Sequence, residues 1–252
     1  MAAILYALEL GYVHLDTAQS YGTEAMCGEA LRRSGLSRDE VFLTTKIDSS
    51  NCWGGRLISS LRASNDTIGI DAVDLTLIHW PVSPAGRMPM AVYLAELAEA
   101  QTAGLTRLIG VSNFTIADLD EAEALIGRGQ IITNQVERHL YLQNDALVEA
   151  CKNRGIAVTC YLPLARGACA GDAVVEAIAK AHAATPHQVA LAFSLSEGHV
   201  VIPTSGKPAH INENFAAKEL MLSTEELSRL RRLDRNQRQI RPAWSSYHDP
   251  AR

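Results

Sequence analysis

Residues 11–28 read GYVHLDTAQSYGTEAMCG, and two later stretches, FLTTKI (42–47) and LTLIHWP (75–81), follow the same plan of a short apolar run that closes on an ionisable side chain. The closing residues are Asp16, Lys46 and His79, with Tyr21 five positions after Asp16. In a parallel α/β barrel the C-terminal ends of the strands converge on one mouth, so groups far apart in sequence meet there. The set also has a chemical use. A phenol near pKa 10 is a poor acid at neutral pH unless an ammonium stabilises its anion and a carboxylate holds that ammonium. Tyr, Lys and Asp together therefore suit proton donation to a carbonyl oxygen.

Outward from these stretches, short apolar runs alternate with longer helical patterns, the signature of repeated βα units and a parallel sheet. The runs predict strands over Val13–Asp16, Val41–Ile47, Val73–His79, Arg107–Ser112, Thr133–Glu137, Ala157–Tyr161 and Val200–Pro203. Helices are expected over Glu24–Ser34, Arg56–Gly69, Met90–Gly104, Thr115–Gly127, Asp145–Gly155 and Asp172–Ala183. Pro186 opens another in the first-turn position where proline is tolerated. Ser223 and Glu226 form a capping box for a last helix, Thr224–Asp234. The fold class expected is α/β with a parallel sheet; seven strands are visible where a closed (β/α)8 barrel needs eight.

Bulk properties agree. At 252 residues, 47% hydrophobic, the chain can bury one large core, and a single domain over 1–252 with a tail from about 235 is expected. A net charge of −5 without a Lys/Arg run argues against nucleic acid. Cys27, Cys52, Cys151, Cys160 and Cys169 are odd in number and unclustered, which argues against disulfides and against a metal site, and fits a reducing cytoplasm. MAAILYALELG lacks a basic n-region, and no stretch approaches the roughly 20 apolar residues of a membrane span. It reads as the end of an amphipathic helix.

At these residues the chain resembles the aldo-keto reductase family. GYVHLDTAQSYGTEAMCG is similar to the signature that carries the family's catalytic Asp and Tyr, and TTKI and LIHWP match the positions of its Lys and His. The resemblance thus makes Asp16, Tyr21, Lys46 and His79 catalytic. Further motifs follow in order. GLTRLIGVSNFT (104–115) resembles the strand whose Ser-Asn, here Ser112 and Asn113, grips the nicotinamide carboxamide, and TNQVERHLYLQN (133–144) the strand of its partner, here Gln135. TCYLPLARG (159–167) resembles the strand whose Tyr, here Tyr161, stacks on the nicotinamide, followed by Pro163, Leu164 and Gly167. VIPTSGKPAHINEN (201–214) resembles the adenosine-phosphate loop, which brings in Thr204, Ser205, Gly206, Lys207, His210, Glu213 and Asn214. Within the family the chain looks most like the bacterial 2,5-diketo-gluconate reductase B and methylglyoxal reductase type.

The resemblance implies NADPH as cofactor, with NADH also usable. Members that prefer NADPH have Lys after the Ile-Pro pair and Arg six residues later, whereas this chain has Thr204 and His210. Ser205 and Lys207 remain for the 2′-phosphate, which hydroxyls and one lysine hold less tightly than a bidentate arginine does. A second departure is at the start. In the family a hairpin and a first barrel strand precede the helix that leads into GYVHLDTA, and here the chain starts inside that helix. A mis-assigned start, a fragment boundary or a real truncation each accounts for this; if the truncation is real, the strands at Val13 and Val200 are expected to lack a partner between them.

Each residue has a plainer reading. Asp16 alone could cap a turn, Tyr21 could pack at a rim, and His79 could be a satisfied core residue. Lys46 at the end of an apolar strand is harder to explain so. Trp80 and Trp53 either line the substrate pocket or fill the barrel top. His14, His139, His182, His187, His199 and His248 are read as structural or surface residues. Trp244 and Tyr247 belong to a tail that in this family folds over the mouth, and Arg238 and Arg241 either attract a carboxylate or are solvated. The expected substrate is a small dicarbonyl or keto-sugar acid, the expected enzyme a cytoplasmic monomer without nucleic-acid or membrane partners. Two alternatives stand beside it: a sugar or alcohol dehydrogenase of the same family, and a non-catalytic or impaired cofactor-binding relative.

Overall fold

A computed structural model describes residues 1–81, 88–243 and 245; Trp244, Tyr247 and His248 lie outside them. The strands are β1 (His14–Asp16), β2 (Phe42–Ile47), β3 (Val73–Ile78), β4 (Thr106–Ser112), β5 (Ile131–Glu137), β6 (Ala157–Tyr161) and β7 (Val200–Val201). The helices are α1 (Ala2–Leu10), α2 (Glu24–Ser34), α3 (Leu57–Ile68), α4 (Met90–Thr102), α5 (Ile116–Ile126), α6 (Asp145–Arg154), α7 (Ala173–Ala181), α8 (Pro186–Ser196), α9 (Pro208–Ala216) and α10 (Thr224–Arg231). Two compact units divide these elements, one built on Met1–Asn134 with Glu149–Ile156, the other on Gln135–Val148 with Ala157–Arg241.

In the first unit β1, β2, β3, β4 and the opening residues of β5 lie side by side in chain order, and the pairs from β1 to β4 are parallel. Every residue of β3 and all but the first of β2 are buried, as expected of a parallel sheet with both faces covered. Close approach is set by two glycines. A Cβ on Gly28 would stand 1.8 Å from the Ile68 carbonyl oxygen, and one on Gly110 2.9 Å from that of Thr133. At the N-terminal end of the strands Asp74, 2% exposed, accepts the Leu43 N–H at 2.8 Å and pairs with Arg38 and Arg107, each at 2.7 Å.

The second unit holds the last residues of β5, then β6 and β7, again in chain order, with β6 and β7 parallel. Its core gathers Leu140, Tyr141, Ile178, Val189, Phe193 and Leu230. Thr185 and Gln188 form the capping box of α8, with Pro186 in its first turn, and Ser223 and Glu226 that of α10. Glu137, fully buried, closes β5 and accepts the backbone N–H groups of Gln239 at 2.6 Å and Ile240 at 2.7 Å. His139 Nε2 adds a third contact at 3.1 Å. Burial alone would raise the Glu137 carboxyl, but these hydrogen bonds outweigh it and hold the group below its usual range.

The predicted elements match with two differences. β7 has two residues where the apolar run extends to Pro203, although Ile202 N–H still reaches the Cys160 carbonyl at 3.2 Å. The phosphate-loop stretch 201–214 also contains a helix, α9, which starts at Pro208 without a side-chain cap. Seven strands stand among the described residues where an eight-stranded barrel has one more. None of the helices in those residues is long and apolar enough to cross a membrane.

Candidate active site

Strand register brings three of the four ionisable residues onto one face. Asp16 lies opposite Thr44, and Lys46, two residues on, shares its face. Lys46 in turn lies opposite Leu77, so His79, two past Leu77, joins the same face. Lys46 is fully buried. Its ammonium hydrogen-bonds the Asp16 carboxylate and donates to the Thr17 carbonyl at 2.9 Å, which supplies the partners a buried charge requires. Burial lowers the Lys46 pKa, and Asp16 pulls it back up.

Tyr21 ends a three-residue 3₁₀ turn, Gln19–Tyr21, and stands half exposed. Lys46 Nζ lies over its ring, and its hydroxyl is 3.4 Å from His79 Nε2. The Tyr21 and His79 rings meet edge to face with centroids 5.5 Å apart. Burial and, after it, the Asp16 carboxylate push the Tyr21 phenol up to about 12. Burial and then Lys46 push His79 down to about 4. At neutral pH the site therefore presents a protonated phenol beside an uncharged imidazole. The phenol is raised by these protein groups, not lowered as the ammonium alone would have it.

Ser112 and Asn113, both 1% exposed, follow at the end of β4. Asn113 has φ 62, and its Nδ2 reaches the His79 carbonyl and Ser112 Oγ, each at 3.0 Å, so the strand-end backbones of β3 and β4 are tied beside the tetrad. Trp53 and Trp80 are part-buried in this unit; Ser49 Oγ donates to the Trp80 carbonyl at 3.5 Å. Two contributors carry no sequence signal of their own. One is the Thr17 carbonyl, a backbone group; the other is Gln19, whose side chain reaches Asp48, Asn51, Ser60 and Ser64.

The second unit holds the other candidates. Gln135, 3% exposed, lies in β5 and Tyr161 ends β6. Pro163, Leu164 and Gly167 fall in a turn where Leu162 (φ 50), Ala165 (φ 47), Arg166 (φ 54) and Gly167 (φ 85) all take positive φ. Left-handed conformations at residues with a Cβ cost about 1–2 kcal/mol each and persist where the surroundings impose them, often at ligand sites. Thr204, Gly206, Lys207 and His210 are exposed at the N-terminus of α9, with Ser205 part-buried among them. Ser205 Oγ accepts the Lys207 N–H at 3.1 Å. No acidic side chain occurs in 204–210, and helix N-terminal N–H groups, hydroxyls and an ammonium form a donor set that fits a phosphate. Glu213 anchors to α8 through Oε1, which meets the Thr185 hydroxyl and His187 Nδ1 at 3.1 Å. Asn214, 8% exposed, lies next to it.

The chain is similar to several known proteins. Residues 1–235 match the profile of the family described as Aldo/keto reductase. The methylglyoxal reductase DkgB of Yersinia pestis is 45% identical over 240 residues, which cover 95% of this chain and 90% of that protein. A crystal structure assigned provisionally to a 2,5-diketo-D-gluconic acid reductase B superposes with a TM-score of 0.92 at 37% identity, covering 96% of this chain and 87% of that one. The aldose reductase of Schistosoma japonicum superposes with a TM-score of 0.89 at 31% identity, covering 95% and 85%.

Proposed function

Since this chain belongs to the aldo/keto reductase family, oxidoreductases built on a (β/α)8 barrel, we propose that it reduces small aldehydes and ketones with NADPH, 2-oxoaldehydes such as methylglyoxal first among them. The likeness to methylglyoxal and diketogluconate reductases supports that substrate class. The observation that carries the chemistry is the placement of Lys46 between the Asp16 carboxylate and the Tyr21 ring, with the Tyr21 hydroxyl at His79.

When bound, the nicotinamide supplies a hydride to the carbonyl carbon. The protein's task is the oxygen. His79, neutral at pH 7, has one N–H to offer; with Ser20 Oγ, 3.5 Å away, taken as the donor to Nδ1, that N–H is on Nε2 and serves the substrate oxygen. Tyr21 gives its phenolic proton to that oxygen as negative charge grows there. An alkoxide is more basic than a phenolate, so the transfer runs downhill even from a phenol near 12. Lys46 stabilises the phenolate until solvent returns the proton, and Asp16 keeps Lys46 in place.

Ser112, Asn113 and Gln135 would hold the carboxamide and Tyr161 the nicotinamide face, with Thr204, Ser205, Gly206, Lys207 and His210 at the 2′-phosphate and Glu213 and Asn214 at the adenine. Lys207 favours NADPH over NADH. The enzyme acts as a cytoplasmic monomer; all five cysteines are free and buried, which fits a reducing compartment. The test is absorbance at the nicotinamide band with methylglyoxal and NADPH. Turnover that Tyr21→Phe cuts at least about 100-fold supports the assignment; undiminished turnover of that variant removes Tyr21 as the donor.

A further inference from the structure

The turn that carries Tyr21 has little of its own to hold it. Its three residues are closed by one backbone hydrogen bond, Tyr21 N–H to the Ala18 carbonyl at 3.0 Å. Ala18 provides no side-chain cap, and Gly22 behind it lies in the left-handed region at φ 66. A 3₁₀ turn this short has poor hydrogen-bond geometry and no cooperative reserve. Tyr21 is half exposed, and its ring is held on the inner side by Lys46 and His79. Reactions of this kind nonetheless depend on placement, since a displacement of about 1 Å can cost 100-fold in rate.

The Thr17 and Thr23 hydroxyls close the ends of the segment at 2.7 Å, and Gln19 adds the restraint that anchors the turn itself to other elements. Its Oε1 accepts the Asp48 backbone N–H at 2.8 Å and Asn51 Nδ2 at 3.0 Å, while Nε2 donates to Ser60 Oγ and Ser64 Oγ, each at 3.1 Å. A side-chain amide has two acceptor and two donor positions, and all four are used. The Asp48 backbone N–H can only donate, which fixes the amide's orientation. Asp48 stands two residues beyond Lys46, and Ser60 and Ser64 are one turn apart on one face of α3. One side chain thus fastens the Tyr21 turn both to α3 and to the segment that leaves the Lys46 strand.

We propose that Gln19 is the positioning residue for Tyr21, its fully engaged amide holding the proton donor at the distance from Lys46 and His79 that the reaction needs. The proposal rests on the reading of Tyr21 as donor. A purely structural cross-link would instead lower stability and leave the chemistry of each folded molecule unchanged.

The experiment compares Gln19→Leu, the double variant Ser60→Ala/Ser64→Ala and Tyr21→Phe with the parent chain. It reads thermal midpoint, NADPH affinity by tryptophan fluorescence, kcat and KM for methylglyoxal, and the solvent deuterium isotope effect on kcat. Gln19→Leu is expected to bind NADPH within about twofold of the parent and to lose about 10- to 100-fold in kcat with little change in KM. Its solvent isotope effect should rise, because proton transfer has become the slow step. The serine pair, remote from the substrate, should shift kcat and the isotope effect the same way by less, since both Oε1 contacts remain. A parent-like kcat and isotope effect in folded Gln19→Leu overturn the proposal. So does the same result in the serine pair if Gln19→Leu does not fold. Parent-like activity in Tyr21→Phe overturns the donor reading itself, whereas an inactive Tyr21→Phe beside unaffected Gln19 and serine variants removes the positioning role alone.

Discussion

Lys46 Nζ lies 4.9 Å from the centroid of the Tyr21 ring, and the Asp16 carboxylate and Thr17 carbonyl take its hydrogen bonds. The ammonium thus owes its place to Asp16, while it sits over the ring of Tyr21. Lys46→Met keeps the volume and removes the charge, which takes from the largely buried Asp16 carboxylate its ammonium partner. We expect kcat to fall at least about 100-fold and stability by roughly 3–5 kcal/mol, as for other broken buried pairs. Steady-state kinetics and urea denaturation check both, and a variant as stable as the parent would show that Asp16 does not need its partner.

Acid should weaken the fold through its histidines. His199 is pushed down from 6.5 to about 4 by burial and then by Arg138, and His79 also to about 4. Between pH 6.5 and 4 the unfolded chain binds protons that the folded chain refuses. Stability present above pH 6.5 is therefore lost as pH falls through 4. His199→Gln should flatten the fall of the urea midpoint between pH 7 and pH 4.5; an equally steep fall in the variant would clear His199 of any part in it.

Lys207 offers the one ammonium in the exposed 204–210 stretch. Lys207→Ala is expected to weaken NADPH binding about tenfold, the worth of one charge-assisted hydrogen bond, and to leave NADH binding unchanged. Fluorescence titration with both nucleotides decides it. Equal losses for the two would place Lys207 away from the 2′-phosphate.

Glu137 holds two successive backbone N–H groups of the chain's C-terminal stretch, at Gln239 and Ile240. Glu137→Ala removes all three of its hydrogen bonds and leaves His139 buried beside a void, a change expected to cost about 2–4 kcal/mol. The segment after Asp234 should then become cleavable by trypsin at Arg238, which precedes Gln239, under conditions where the parent is intact. Resistance equal to the parent's would mean that other contacts suffice to hold it.

Most of the α/β alternation was legible because parallel strands covered on both faces read as continuous apolar runs; FLTTKI and VDLTLI are such runs, and both are strands. The tetrad was legible for the opposite reason. A lysine that closes an apolar strand conflicts with burial unless something pairs it, and the structure supplies Asp16. Helix α9 was missed because it begins at Pro208 with no capping side chain, inside a stretch that resemblance alone marked as a loop. Gln19 was passed over because an amide gains its meaning from four neighbours that lie 29 to 45 positions away. Glu137 reads as the polar end of a strand, and only the return of residues 239–240 to its side gives its burial a cause.

The turn after β6 bears on how this protein could change over generations. Leu162, Ala165 and Arg166 sit in a backbone region that glycine enters without penalty. A population selected for heat resistance alone would be free to drift toward glycine there wherever the relief of strain exceeds the extra entropy of a glycine-bearing unfolded chain. Persistence of residues with a Cβ at such positions would mark a selective demand other than durability. A library randomised at these three codons, sorted once for folding and once for nucleotide binding, should therefore diverge.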